Sequence, residues 1–352
     1  MRIHTLVLLT ATVLFAACAP QPTPTPSIQL PISAAPIDLS SSPTPSVEVT
    51  GRFTFAPGDG SIWVQDPISG KPKPIVKPSP ELFADAPHFS PDGKRIVYVR
   101  SALQADGKAR NEIHTIAIDG SDDQAIAIPP NARLAYNWPS YSKDGKWIYL
   151  TAIRPDSTKQ QISEIQRVPS TGGDAQTIIE DARVSDISPD GNKIVFMRFN
   201  YDTFTAGLWV ADGDGRNERE LLNDQVFVTI AAPHFSPDGQ TILFVASGPN
   251  TRPLPGVSFR APTCEPKLLC LFAIPAQANG LPWDLWTVTV DGSKFAQLTR
   301  VGSDSPWPAW SRDGKQIAFF DTSGTYLVDL ANKVVSQFSR NGGHGVFDWA
   351  QP

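Results

Sequence analysis

One short phrase recurs five times in this chain: an aromatic residue or Ile, then Ser, any residue, Asp-Gly, and an Ile three residues further on. The copies are Phe89-Ser90-Pro91-Asp92-Gly93, Tyr141-Ser142-Lys143-Asp144-Gly145, Ile187-Ser188-Pro189-Asp190-Gly191, Phe235-Ser236-Pro237-Asp238-Gly239 and Trp310-Ser311-Arg312-Asp313-Gly314. The isoleucines that follow are Ile96, Ile148, Ile194, Ile242 and Ile317. Self-similarity at a long period signals a stacked or circular array of like units.

The phrase itself is turn chemistry. Pro presets φ, Asp bonds back to the backbone and Gly accepts positive φ, so a hairpin closes between two strands. Runs after the turn, such as Lys94-Arg95-Ile96-Val97-Tyr98-Val99, are apolar on both alternating faces, as in a strand covered on two sides. A third strand follows each hairpin, for example Leu208-Trp209-Val210-Ala211, and a fourth, edge-like strand ends each unit. Four antiparallel strands per unit make a propeller blade. At the N-terminal end, Arg52–Phe55, Ile62–Val64 and Pro74–Val76 supply a blade without its first strand. The C-terminal Val346-Phe347-Asp348-Trp349-Ala350 has the first-strand pattern and no unit behind it. The prediction is therefore an all-β fold: a six-bladed β-propeller with four-stranded antiparallel blades, closed by the C-terminal strand joining the N-terminal blade.

The Pro-x-aromatic-Ser-Pro-Asp-Gly-Lys-x-Ile phrase resembles the WD-like repeat of the TolB-type six-bladed propellers, over about residues 51–352. The same phrase also occurs in the propeller domains of prolyl-oligopeptidase-like enzymes. TolB carries an extra α/β domain before its propeller, whereas the corresponding region here reads as a Pro-rich tether, so the resemblance implies a propeller and not TolB's own set of envelope partners. The peptidase resemblance would require a Gly-x-Ser-x-Gly nucleophile elbow. The sequence contains none.

The first fifty residues have a different character. Arg2 and His4 precede an apolar stretch from Leu6 to Phe15, then Ala16-Ala17-Cys18. This resembles a bacterial lipoprotein signal, which implies a signal peptide over 1–17 and a lipid on Cys18. Ordinary signal cleavage after Ala17 or Ala19, releasing a secreted protein, is the alternative. Residues 18–50 are rich in Pro, Thr and Ser and are expected to form a disordered tether. The localisation that follows is the cell envelope, on the exported side of a membrane. In that oxidising setting Cys264 and Cys270 are expected to form a small-loop disulfide, with free thiols as the alternative. A net charge of −5 leaves no basic excess to favour nucleic acid as a partner.

Two places are candidates for function. The residue before each first-strand aromatic (or Ile187) is His88, Ser140, Asp186, His234, Ala309 and Asp348 in blade order. His88, Asp186, His234 and Asp348 are the channel positions that would suit a transition metal or a proton-transfer site. Simple stacking and hydrogen bonding within the core is the plainer reading of the same residues, and no cofactor is expected. The second place is the face opposite the Asp-Gly hairpins. Long second-to-third strand connections emerge there, including an insertion over about 248–283 that contains Arg252, Phe259 and Arg260. Arg100, Arg198 and Tyr201 would ring the same face, and loops gathered on one face of a repeat protein often bind partners. Tyr201 and Trp283 are the stacking platforms that a carbohydrate partner would use. The favoured function is a non-catalytic scaffold that binds a protein or peptide in the envelope. A channel-centred, metal-dependent hydrolase or oxidoreductase of the six-bladed lactonase or dehydrogenase type is the alternative.

Overall fold

The computed structural model describes residues 37–38, 49–66, 70–103, 109–129, 135–156, 160–249 and 282–350. Six four-stranded antiparallel sheets follow one another, and no α-helix occurs among the described residues. Blade 1 combines both ends of the chain: Phe347–Ala350, Arg52–Phe55, Ile62–Gln65 and Pro72–Val76 lie side by side in that order. Blades 2 to 6 are each continuous in sequence. Their innermost strands are Leu82–Phe89, Ala135–Tyr141, Arg183–Ile187, Phe227–Phe235 and Trp307–Trp310. The six innermost strands touch in cyclic order, which closes the ring around a central axis.

Each Asp-Gly hairpin is held by one small hydrogen-bond lock. Ser90 Oγ donates to Asp92 Oδ1 at 2.6 Å and accepts the Arg95 amide at 2.9 Å. Asp92 Oδ1 also accepts the Lys94 amide at 3.1 Å, and Gly93 takes a φ of 65°. That left-handed conformation is open to Gly at little cost. Ser142/Asp144, Ser188/Asp190, Ser236/Asp238 and Ser311/Asp313 repeat the lock. The Ser hydroxyl is the main influence that holds Asp92, Asp144, Asp190 and Asp238 below the usual carboxylate range; at Asp313 it is the Lys315 amide. The repeated Asp is thus a turn-forming residue in every blade that carries it.

Blades pack face to face through the isoleucine and aromatic columns. Ile62 of blade 1 and Ile96, Tyr98 and Phe89 of blade 2 share one buried cluster. Tyr149 and Ile165 of blade 3 meet Ile187, Ile194 and Phe196 of blade 4 in another. These strands are covered on both faces, which is why their sequences lack the polar alternation of a half-exposed sheet. The second and third strands also run further than the repeat suggests: Arg95–Leu103 pairs with Ala109–Ala117, and Trp147–Asp156 with Gln160–Pro169. Within the Pro-rich region, Ile37–Asp38 pairs in parallel with Thr299–Arg300, which follows the outer strand of blade 5.

Closure rests on blade 1. Arg52, Phe53, Thr54 and Phe55 face Ala350, Trp349, Asp348 and Phe347 in antiparallel register. Phe347 is 1% exposed and packs against Phe53 and Phe320 at ring-centroid distances of 5.2 and 6.1 Å. The Trp349 indole donates to the Thr50 carbonyl at 2.9 Å. Truncating a buried Phe leaves a cavity as well as losing its transfer energy, so Phe347→Ala should lower the unfolding free energy by about 3–5 kcal/mol. Urea denaturation measures this, and a loss under about 1 kcal/mol would show that the terminal strand does not seal the ring.

Candidate functional site

Four of the innermost strands are bent by a β-bulge just before the ring position. The pairing skips between Asp85 and His88, Asn137 and Ser140, Arg183 and Ser185, and Ala231 and His234. At the bulges Ala86, Trp138, Val184 and Ala232 have φ values of 52°, 47°, 46° and 49°. A non-glycine residue in this region costs on the order of 1–3 kcal/mol, and the cost is highest for bulky or β-branched side chains. A bulge re-aims the side chains that follow it. Here those side chains are His88, Ser140, Asp186 and His234, and all four line the axial cavities. Ala309 and Asp348 join them in that lining.

They form a collar between two spaces. Toward the Asp-Gly hairpins lies an open cavity of about 460 Å³, and beyond the collar lies a small one of about 30 Å³. The collar has a twofold pattern. Going around the ring it reads Asp348, His88, Ser140, then Asp186, His234, Ala309, so that two of the three pairs of opposite blades carry the same residue. His88 Nδ1 lies 3.6 Å from Asp348 Oδ2, and His234 Nδ1 lies 3.8 Å from Asp186 Oδ2.

The two carboxylates have a defined task. Asp348 Oδ1 accepts the Trp349 amide of its own blade at 2.8 Å, and its Oδ2 accepts the Phe89 amide of blade 2 at 2.8 Å. Asp186 accepts Ile187 N at 2.9 Å and, from blade 5, Phe235 N at 2.7 Å. Each aspartate thus stitches two adjacent blades by hydrogen bonds to an ionised acceptor, a stronger class than neutral ones. His88 Nδ1 contacts the Phe89 carbonyl at 3.1 Å, which assigns the proton to that nitrogen. His234 Nε2 is buried without a hydrogen-bond partner, as are the indole nitrogens of Trp307 and Trp310, which line the inner and outer cavities. Burial is the chief influence on His234 and lowers its proton affinity. His88 and Lys143 act in the same direction, while Asp186 and Asp348 oppose it. Among the described residues, no group of three or more His, Cys, Asp or Glu side chains is placed to hold a metal ion.

The insertion-face residues fare differently. Arg198 pairs with Glu218 at 2.6 Å and lies 4.6 Å over the Trp209 ring. Arg100 lies 3.5 Å from Asp123. Tyr201 accepts hydrogen bonds from Gln161, at 2.8 Å, and from the buried Arg183, whose guanidinium stacks 4.6 Å from Phe199. These three side chains are thus tied to their own or the neighbouring blade. Trp283 is 2% exposed and is a core residue, which corrects the expectation that it offers a stacking platform. Cys18, Arg252, Phe259, Arg260, Cys264 and Cys270 lie outside the described residues. Sequence reasoning missed the bulges and the cations Lys143 and Arg312 at the cavity mouth; the cations had a signal, since other blades place Pro between the Ser and the Asp.

Removing the Asp186 carboxylate leaves the Phe235 amide without its acceptor. Asp186→Ala should therefore lower stability by about 1–3 kcal/mol in a denaturant titration, and an unchanged midpoint would rule out the stitch. An NMR titration should place the protonation of His234 below the ordinary imidazole value near 6.5, because burial disfavours its charged form. The sign follows from linkage: as pH falls through that value the unfolded chain takes up a proton that folded His234 resists, so this group withdraws stability on acidification. Half-protonation at or above pH 6.5 would contradict it.

Known proteins place this geometry. The model of the TolB β-propeller domain family matches residues 38–261, more than half of the 352. An uncharacterized protein of Agrobacterium fabrum is 27% identical over 200 residues, which is 53% of this chain and 62% of that protein. Dipeptidyl-peptidase 5 of Trichophyton equinum is 36% identical over 115 residues, 31% of this chain and 15% of the enzyme. The chain thus spans less than two thirds of the length of these curated relatives. The crystal structure of TolB from Acinetobacter baumannii superimposes with a TM-score of 0.59 at 17% identity, over 85% of this chain and 66% of that one. That likeness concerns the fold. With six blades closed on one axis, five of them carrying the Ser-x-Asp-Gly phrase, and the family model matched over more than half of the residues, the chain belongs to the TolB β-propeller family.

Proposed function

We propose that this protein is an exported, lipid-anchored propeller that acts as a non-catalytic binding module for a protein partner in the cell envelope. The observation that carries the reading is the commitment of both ring carboxylates: Asp186 and Asp348 each hold amides of two blades. A general base or nucleophile needs free acceptor capacity aimed at a substrate. These two oxygens pairs serve the ring instead.

Three further observations support the reading. The second-to-third strand connections of blades 2 to 5 start after Leu103, Asp156, Asn200 and Pro249, all at the end of the blades opposite the Asp-Gly hairpins. Loops held on a rigid scaffold are where binding residues concentrate. Arg2, the apolar stretch to Phe15 and Ala16-Ala17-Cys18 support export with a lipid on Cys18, and the Thr-Pro repeats support a spacer behind it. Membership of the TolB propeller family favours a protein as the partner.

The test uses the full-length protein in its native envelope. Cysteine 18 replaced by serine (Cys18→Ser) should move the protein from the membrane to the soluble fraction and abolish incorporation of labelled fatty acid. Replacing 251–281 by a short Gly-Ser linker should abolish cross-linking to the partner while the thermal melting curve is kept. Membrane retention of the Cys18→Ser protein would overturn the anchor, and unaltered cross-linking of the loop variant would overturn the docking face.

A further inference from the structure

The open cavity on the hairpin face takes no part in the protein-partner reading, and its chemistry points to a different kind of ligand. The residue between Ser and Asp in the repeated phrase is Pro91, Pro189 and Pro237 in blades 2, 4 and 5, but Lys143 in blade 3 and Arg312 in blade 6. All five line the same cavity of about 460 Å³. Blades 3 and 6 are three steps apart in a ring of six, so the two cations enter the cavity lining from opposite blades.

Neither cation has a carboxylate of its own. The Lys three residues on in each hairpin pairs with the turn aspartate, Lys146 with Asp144 at 3.3 Å and Lys315 with Asp313 at 3.5 Å. Lys143 and Arg312 make no ion pair or hydrogen bond among the described residues. Both are exposed at the mouth. Lys143 nonetheless acts across the cavity, because its charge helps to lower the proton affinity of His234 on blade 5.

The wall of the cavity is about half apolar, and the rings of Pro91, Pro189 and Pro237 with Trp310 supply its apolar part. Asp186 and Asp348 lie in the collar beneath, their oxygens held by backbone amides. Two separated positive charges, an apolar stretch between them and a mildly negative floor describe a complementary ligand. It has an anionic group at each end, a hydrocarbon middle and a low total charge. We propose that this cavity binds a small linear α,ω-dicarboxylate end to end, one carboxylate on Lys143 and the other on Arg312. A diphosphate fits worse, since its higher charge meets the Asp186 and Asp348 carboxylates while its middle offers nothing to the proline rings. The guanidinium of Arg312 suits a carboxylate in particular, because its planar fork donates two parallel hydrogen bonds.

The test is calorimetric titration of the full-length, detergent-solubilised protein with succinate, glutarate, adipate, pimelate and suberate. Hexanoate serves as the one-carboxylate control and pyrophosphate as the high-charge control. At least one chain length should bind saturably at one site per protein, with hexanoate and pyrophosphate at least about tenfold weaker. Lys143→Ala and Arg312→Ala should each weaken that binding by about tenfold or more. Both side chains are exposed and unpaired, so the melting temperature should stay the same. Circular dichroism of each variant confirms that loss of binding is not loss of fold. The proposal is overturned if no dicarboxylate gives saturable heat up to about 10 mM, if both variants bind as the parent does, or if pyrophosphate binds more tightly than every dicarboxylate.

Discussion

Everything about this fold depends on one sheet made from both ends of the chain. A ring of blades has no free edge only if the last strand finds the first blade, and here Phe347–Ala350 pairs with Arg52–Phe55 to do so. The same four residues supply more than ladder hydrogen bonds. Phe347 seals the core against Phe53 and Phe320, and Asp348 reaches across to the Phe89 amide of blade 2. Closure, core and the lining of the axis are therefore one structural event. The collar exists because the ring is shut, and the ring is held shut partly by the collar.

The collar also explains where strain resides. Ala86, Trp138, Val184 and Ala232 hold a backbone conformation that L-residues with side chains avoid, and they sit in four consecutive blades at the same depth. Such strain persists when the surrounding packing fixes it. The packing here is the two-sided burial of the second strands, in which Ile96, Val97, Ile194 and Ile242 are fully shielded from solvent. The bulges turn the ring residues inward, and two of these, Asp186 and Asp348, then bind the neighbouring blade. Local strain in one strand is thus coupled to cohesion between blades.

Much of this was legible in the residues. The spacing of Phe89, Tyr141, Ile187, Phe235 and Trp310 marked the ends of the innermost strands, and the residue before each marked the collar. The number of blades followed from counting the repeat and recognising Phe347-Asp348-Trp349 as its orphaned first strand. The bulges were not legible, because Trp138 and Val184 are residues that argue against positive φ and nothing local announces them. The Ser of the repeat also carried more than expected: Ser90 Oγ binds both Asp92 and the Arg95 amide, which locks the hairpin from inside. Tyr201 read as a surface contact by its loop position, yet it accepts a hydrogen bond from Arg183, a buried cation that only the folded arrangement reveals. Side-chain commitments across blades depend on neighbours distant in sequence, and a repeat pattern conveys only what is shared.

The short parallel pairing of Ile37–Asp38 with Thr299–Arg300 has a mechanical consequence. Any pull delivered along the N-terminal segment meets this two-residue clasp before it reaches Arg52 and the seam with Phe347–Ala350. Two backbone pairs give way far more easily than a buried four-residue seam backed by aromatic rings. Under such a pull the clasp separates first, and the ring of blades stays closed.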